Sequence, residues 1–151
     1  MPISPDANER TPDRIKHRPS WLVSRAHGIS FGLLTEAFES SGTGLRPYHY
    51  RILSALDQWG PSSQAAIGRD TGIDPSDMTA ALVELEDRRL VERRVDPAHK
   101  RRNIVTLTTP GAEVLGELDR VIEDVQAKLL APLSSQERHD FTELLRRIVD
   151  R

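Results

Sequence analysis

The sequence predicts a mainly α protein carrying one small β-hairpin, and three observations predict it. Apolar residues recur three and four apart through most of the chain, the spacing of amphipathic helices. Two short helical patterns are separated by Gly72-Ile73-Asp74, a helix stop followed by a helix cap. Between residues 90 and 107 the helical period gives way to two short strand patterns around a basic stretch.

Taken in order, residues 1–19 carry Pro2, Pro5, Pro12 and Pro19 among polar and charged side chains. Such a composition buries too little apolar area to offset the entropy of ordering, so this segment reads as a mobile arm. From Ser20, a good N-cap, Leu22, Ala26, Ile29, Leu33 and Ala37 form a helical stripe that stops at Ser40-Ser41-Gly42. A second helix starts at Pro47, favoured in a first turn, and runs to the Gly60-Pro61 break. Ser63 to Thr71 and Pro75 to Arg88 are the two short helices of a helix-turn-helix. Leu90 to Val95 and Asn103 to Leu107 read as strands, with Asp96 to Arg102 as a basic loop between them, which makes the unit a winged helix. Leu115, Leu118, Ile122, Val125 and Leu129 then alternate three and four apart, the seam of helix-on-helix packing, and Phe141, Leu144, Leu145 and Ile148 form a last stripe. The predicted organisation is an arm at 1–19 and a single domain at 20–151. Within that domain 45–107 form the winged helix, and 20–41 and 108–151 the outer helices.

Composition removes several function classes. The 151 residues include no cysteine, so structural disulfides, thiolate metal sites, cysteine nucleophiles and cysteine redox sensing are excluded. No phosphate-binding glycine loop, nucleophile elbow or HExxH pattern occurs, so an enzyme is not expected. The histidines show no paired ligand spacing, and neither a metal nor a cofactor is expected. The N-terminal stretch lacks the apolar core of a secretory signal and no apolar run approaches membrane length, which points to the cytoplasm and away from the membrane.

A net charge of −2 argues against a nucleic-acid partner until it is resolved along the chain. Residues 88 to 102 hold seven basic side chains, including Arg94, Lys100, Arg101 and Arg102, against two acids, a local +5. Residues 108 to 151 hold nine acids against six bases. Positive charge is therefore concentrated on the wing, where phosphate binding needs it. The segment between, with Asp74, Asp77, Glu84, Glu86 and Asp87, is acidic and offers few donors to guanine; Asp77 either accepts from a cytosine amino group or caps its helix.

Gly72-Ile73-Asp74-Pro75-Ser76-Asp77-Met78-Thr79, Leu85-Glu86-Asp87-Arg88, Leu90-Val91-Glu92-Arg93, Asp96-Pro97, Arg101 and Val105-Thr106-Leu107-Thr108-Pro110-Gly111 together resemble the MarR family of bacterial transcription regulators. Leu45-Arg46-Pro47-Tyr48-His49-Tyr50-Arg51-Ile52-Leu53 is similar to that family's second-helix pattern. The resemblance implies a homodimer with interlocked first and last helices, two winged helices on a near-palindromic double-stranded operator, and repression relieved by a small aromatic or phenolic effector. By position, Pro75 to Arg88 becomes the recognition helix, with Ser76, Asp77, Thr79 and Ala80 nearest the bases. Ser63 and Gln64 hold phosphates, and Arg101 enters the minor groove. Three positions depart from the family pattern: His99 where an aspartate is usual, Arg89 in place of a glycine, and Ala80 in place of an arginine. His99 removes an ion pair that stiffens the wing unless Asp96 substitutes, and Arg89 demands either a different turn or a strained backbone.

The same resemblance places an effector in a crevice bordered by the first, second and fifth helices, which carry Trp21, His27, Phe31, His49 and Tyr50. His27 and His49 are the preferred pair; the plainer reading is core packing for Trp21 and Phe31 and a satisfied polar group for a lone histidine. Dimer contacts are expected from Leu22 and Ile29 at one end and from Leu118, Ile122, Val125 and Leu129 at the other, since one small winged helix cannot cover both stripes. The competing reading is a winged helix used as a protein-interaction module, which the acidic recognition helix favours and the basic wing disfavours.

Overall fold

The structure, a computed structural model, describes residues 10–151. The first nine residues of the predicted arm lie outside the described residues. The elements are α1 (Asp13–Lys16), α2 (Pro19–Ser40), α3 (Pro47–Trp59), β1 (Ser62–Ser63), α4 (Gln64–Thr71), α5 (Pro75–Asp87), β2 (Val91–Asp96), β3 (His99–Leu107), α6 (Thr109–Leu129) and α7 (Ser135–Val149). They divide into two compact units, one spanning Leu34–Lys128 and the other gathering the chain up to Leu33 with Leu129–Arg151.

The 34–128 unit is a winged helix around one core. Ile52, Leu53 and Leu56 of α3, Ile67 of α4, and Met78, Leu82 and Leu85 of α5 pack with Leu90, Val91 and Val105 of the wing and with Leu115 and Leu118 of α6. Full burial of such side chains contributes about 1.5–3 kcal/mol each, so this cluster holds the helix-turn-helix against the sheet. Local signals fix the element ends. Ser63 Oγ accepts the Ala66 N–H at the start of α4, and Asp74 Oδ1 accepts the N–H groups of Ser76 and Asp77 at the start of α5. Between them Gly72 ends α4 at φ 68°, the left-handed conformation glycine adopts without steric cost.

The wing differs from expectation in three ways. A third strand, β1, pairs antiparallel with β3 through Ser62↔Val105 and Ser63↔Ile104, giving the order β1-β3-β2. Two residues carry too little pattern to betray a strand. The basic stretch is not a long loop: the chain turns at Pro97-Ala98, where Asp96 Oδ1 accepts the Ala98 N–H, and β3 begins at His99. The ladder slips there, from Val95↔Asn103 to Asp96↔His99, leaving Lys100, Arg101 and Arg102 bulged without partners on β2. Leu90, read as a strand residue, lies just before β2 with its side chain in the core.

Strand joins helix at a tight junction. Thr108 Oγ1 donates to the Arg89 carbonyl and accepts the Gly111 N–H, while the Thr108 N–H donates to the Leu90 carbonyl. A Cβ on Gly111 would run into the Leu90 carbonyl oxygen. Arg89 has φ 58°, alone among the described non-glycine residues in taking a positive value. Of the two possibilities at this position, the left-handed backbone is the one adopted, at a cost of roughly 1–2 kcal/mol for a residue with a Cβ.

In the other unit, α2 opens at Pro19, one residue before expected, so Ser20 lies inside the helix and is not its cap. Pro12 precedes the single turn α1, where Lys16 Nζ stands 2.7 Å from Asp13. Ser134 and Glu137 form a reciprocal capping box at the start of α7. Arg138 Nε closes the preceding turn by donating to the carbonyls of Leu130 and Leu133. Apolar side chains on both segments face solvent: Leu22, Val23, Ile29 and Phe31 on α2, and Leu144, Ile148 and Val149 on α7. The α6 seam is different. Leu118 and Val125 are fully buried within the single chain, and Ile122 packs against the core, so these expected dimer contacts already have intramolecular partners. Leu129 is half-buried.

Candidate nucleic-acid interface

A concave groove of about 900 Å³ opens between the helix-turn-helix and the wing, lined among others by Gln64, Gly68, Arg69, Pro75, Arg101 and Arg102. Helix periodicity explains the α4 contribution, since Gln64 and Gly68 are four apart, as are Ala65 and Arg69. Arg101 and Arg102 of the bulge, with Asn103, supply the opposite wall. Sequence-selected residues from two distant segments thus meet on one surface, together with Arg69, which the sequence reading missed. Its signal was present in that same spacing.

Ser63 borders this groove from a buried position. It is only 4% exposed, and its oxygen accepts the Ala66 N–H, capping α4. Gln64 is half-buried and its Nε2 donates to Thr79 Oγ1 at 3.0 Å, bracing α4 against the recognition helix α5. Thr79 in turn donates to the Pro75 carbonyl, and the Ser76 hydroxyl donates to Asp74. Those bonds to Asp74 hold its carboxyl below the usual carboxylate range. Ser76, Asp77, Thr79 and Ala80 are all exposed on α5.

The charge of the wing is redistributed by its partners. Arg93 makes a two-pronged contact with Glu86 at 3.0 and 3.2 Å, which lowers the Glu86 pKa and raises that of Arg93. Arg94 lies 3.4 Å from Glu92 and borders a separate depression with Arg89 and Pro110. Arg102 Nε lies 3.9 Å from Asp96 Oδ2, a long ion pair within the wing. Among the described residues Lys100 and Arg101 have no ion pair, and they stand at the tip with their charge uncompensated. His99, exposed, opens β3.

The residues expected around an effector are divided between the two units, His49 and Tyr50 in one and Trp21, His27 and Phe31 in the other. His49 is fully buried in the core of the winged-helix unit: Nδ1 accepts the Arg46 N–H at 2.9 Å, and burial lowers its pKa despite the neighbouring Glu84. It is a core residue with no exposed side-chain surface. Tyr50 donates to Asp119 Oδ1 at 2.7 Å, and its pKa is raised by burial and by that carboxylate. It borders a shallow depression of about 240 Å³ with Arg51, Ser54 and Trp59. In the other unit Phe31 is 63% exposed, its ring 6.4 Å from that of His27, while Trp21 is half-buried with the Arg25 guanidinium 6.0 Å from its ring.

Comparison with known proteins places this geometry. A family model described as MarR family matches residues 43–102. The chain is 33% identical over 142 residues to the HTH-type transcriptional repressor NicR of Pseudomonas putida, a match covering 94% of this chain and 89% of that protein. A probable transcriptional regulator from Pseudomonas aeruginosa superposes with a TM-score of 0.78 at 29% identity, over 89% of this chain and 99% of that one. The PcaV transcriptional regulator of Streptomyces coelicolor, solved in complex with its natural ligand, gives a TM-score of 0.72 at 27% identity, over 89% and 93% of the two chains.

Proposed function

The chain belongs to the MarR family of transcription regulators, and from that premise we propose that it is a cytoplasmic, dimeric repressor that binds a near-palindromic double-stranded operator and is released by a small aromatic or phenolic ligand. The observation that carries the DNA-binding part is the groove in which Gln64, Arg69 and the start of the recognition helix face Arg101 and Arg102. Its width of chemistry suits a duplex: cations for phosphates on the wing and an exposed helix face, with Ser76, Asp77, Thr79 and Ala80, for base edges. Arg94, Lys100, Arg101 and Arg102 supply the attraction, with Lys100 and Arg101 the least compensated. The 33% identity to a repressor supports repression as the outcome.

Dimerisation is supported by apolar side chains that one chain leaves in water: Leu22 at 51%, Ile29 at 41% and Ile148 at 54% exposure. A two-fold pair built on such segments would set the recognition helices about 34 Å apart, one turn of B-DNA. For the effector, the exposed His27 and Phe31 ring pair with the nearby sequence position Trp21 offers apolar faces and an imidazole to a planar acid or phenol. The likeness to a regulator solved with its natural ligand supports a ligand-controlled state.

The test is selection of bound fragments from random duplex DNA, then anisotropy titration of the best fragment at rising salt and with a panel of aromatic acids and phenols. Steep salt dependence with a strong preference for the selected fragment, weakened by one of the ligands, is expected. Equal affinity for selected and random duplexes would overturn the reading.

A further inference from the structure

We propose that the recognition helix reads exocyclic amino groups and thymine methyls, with Asp77 as the specificity-determining acceptor, and that it makes no donor contact to guanine. The inference rests on the DNA-binding reading and deepens it. Its basis is how the polar groups of α5 are already committed.

The acids on this helix have distinct roles. Asp74 accepts from Ser76 N, Ser76 Oγ and Asp77 N, Glu84 stands against His49, and Glu86 is held by Arg93. Two acids have no hydrogen bond or ion pair among the described residues: Asp87, exposed at the C-terminal end, and Asp77, exposed in the first turn, the end at which a recognition helix meets base edges. The hydroxyls are committed too. Ser76 gives its proton to Asp74, and Thr79 gives its proton to the Pro75 carbonyl while accepting from Gln64. No lysine or arginine occurs between Asp74 and Asp87. The exposed face of α5 therefore presents the Asp77 carboxylate near its start, the apolar surfaces of Ala80 and Val83, and the Asp87 carboxylate at its far end, and it has no uncommitted N–H or O–H among the described residues.

The major groove translates that surface into bases. Guanine shows acceptors at N7 and O6, which need donors; a carboxylate facing them leaves both sides unpaired and adds repulsion. Cytosine N4 and adenine N6 are donors that suit Asp77, and the thymine 5-methyl suits Ala80 and Val83. Guanine contacts, if an operator has them, fall to groups off this helix, of which Arg69 on the groove wall is the nearest in kind.

The experiment uses the full chain and its selected duplex. Replacing single thymines under the helix by deoxyuracil removes only the methyl, and a loss of about fourfold in affinity is expected at one position or more. Replacing guanines under the helix by 7-deazaguanine removes N7, and affinity is expected to stay within about twofold. Asp77→Asn keeps the size and the helix start but adds an amide donor; affinity for the selected duplex should fall roughly tenfold, and a repeated selection should shift toward bases with acceptors. Because the Asp77 side chain has no bond among the described residues, the thermal midpoint of this variant should be close to that of the parent. A tenfold loss with 7-deazaguanine, or an unchanged Asp77→Asn preference in a protein that still binds the selected duplex, would overturn the proposal. A parent protein that prefers no duplex at all would instead overturn the DNA-binding reading, and the proposal with it.

Discussion

His49 Nε2 lies 2.9 Å from Glu84 Oε2, joining the helix Pro47–Trp59 to the recognition helix through one imidazole. The two ends differ in environment: His49 is fully buried, whereas the Glu84 side chain is 49% exposed. The approach is close, yet the ring N–H is not aimed along it, so the contact is an electrostatic one rather than a well-formed hydrogen bond. The backbone N–H of Arg46 occupies Nδ1, which fixes the neutral tautomer with its proton on Nε2.

Burial holds the His49 pKa below its ordinary value, outweighing the attraction of Glu84, with Arg46 and Arg88 reinforcing the neutral form. The unfolded chain therefore binds a proton at a pH where the folded chain does not. Stability is complete above the ordinary histidine pKa of about 6.5 and declines as pH falls below it, by up to about 1.4 kcal/mol per pH unit, until the folded-state pKa is reached. Urea unfolding at pH 7.5 and 5.5 measures this. His49→Gln, which keeps an acceptor for Arg46 and a donor toward Glu84, should reduce the difference between the two pH values.

The wing tip should separate two arginines that look alike in sequence. Arg101→Ala removes an uncompensated cation and should weaken operator binding at least tenfold while lowering the salt slope by about one. Asp96→Ala should loosen the turn, because that carboxylate both accepts the Ala98 N–H and faces Arg102. Anisotropy titrations at several salt concentrations distinguish these effects; an unchanged Arg101→Ala slope would remove this residue from the phosphate contacts.

The strand-to-helix junction makes opposite demands on neighbouring positions. Gly111→Ala places a methyl on the Leu90 carbonyl and should destabilise the fold by about 1–3 kcal/mol. Arg89→Gly relieves a left-handed backbone at φ 58° and should stabilise it by about 1 kcal/mol, raising the thermal midpoint by roughly 2–4 °C. Calorimetry on the two variants checks both signs.

Ile29→Glu and Ile148→Glu alter side chains that one chain leaves exposed, so the helical signal should persist while the oligomer mass falls and operator affinity drops with it. Ile122→Glu is a different experiment, since Ile122 packs against the core and the substitution should unfold the domain. Light-scattering mass alongside circular dichroism separates the outcomes. A monomeric Ile29→Glu protein that holds the operator as tightly as the parent would remove the dimer from the binding mechanism.

Local chemistry made the helix-turn-helix legible. Gly72, Asp74, Pro47 and Pro75 act within a turn or two of themselves, so a sequence states them directly, and the structure has each at an element end. The wing was legible as strands but not in detail, because two-residue β1 depends on pairing with a strand far along the chain, and the slip at Asp96 is a matter of hairpin register that the residue pattern does not mark. The ligand set was the least legible part. His27 and His49 are equivalent as residue types, yet one is exposed and the other buried, and only packing separates them.

The same division holds for charge. By itself the sequence determined that the positive charge lies between Arg88 and Arg102, that the helix before it is acidic, and that no thiol is available for sensing. Tertiary structure alone decided which of those charges remain uncompensated: Glu86 occupies Arg93, Asp96 faces Arg102, and Arg101 is left at the tip. Composition counts charges additively, whereas the field at a surface depends on distances of a few ångströms between residues that only folding brings together.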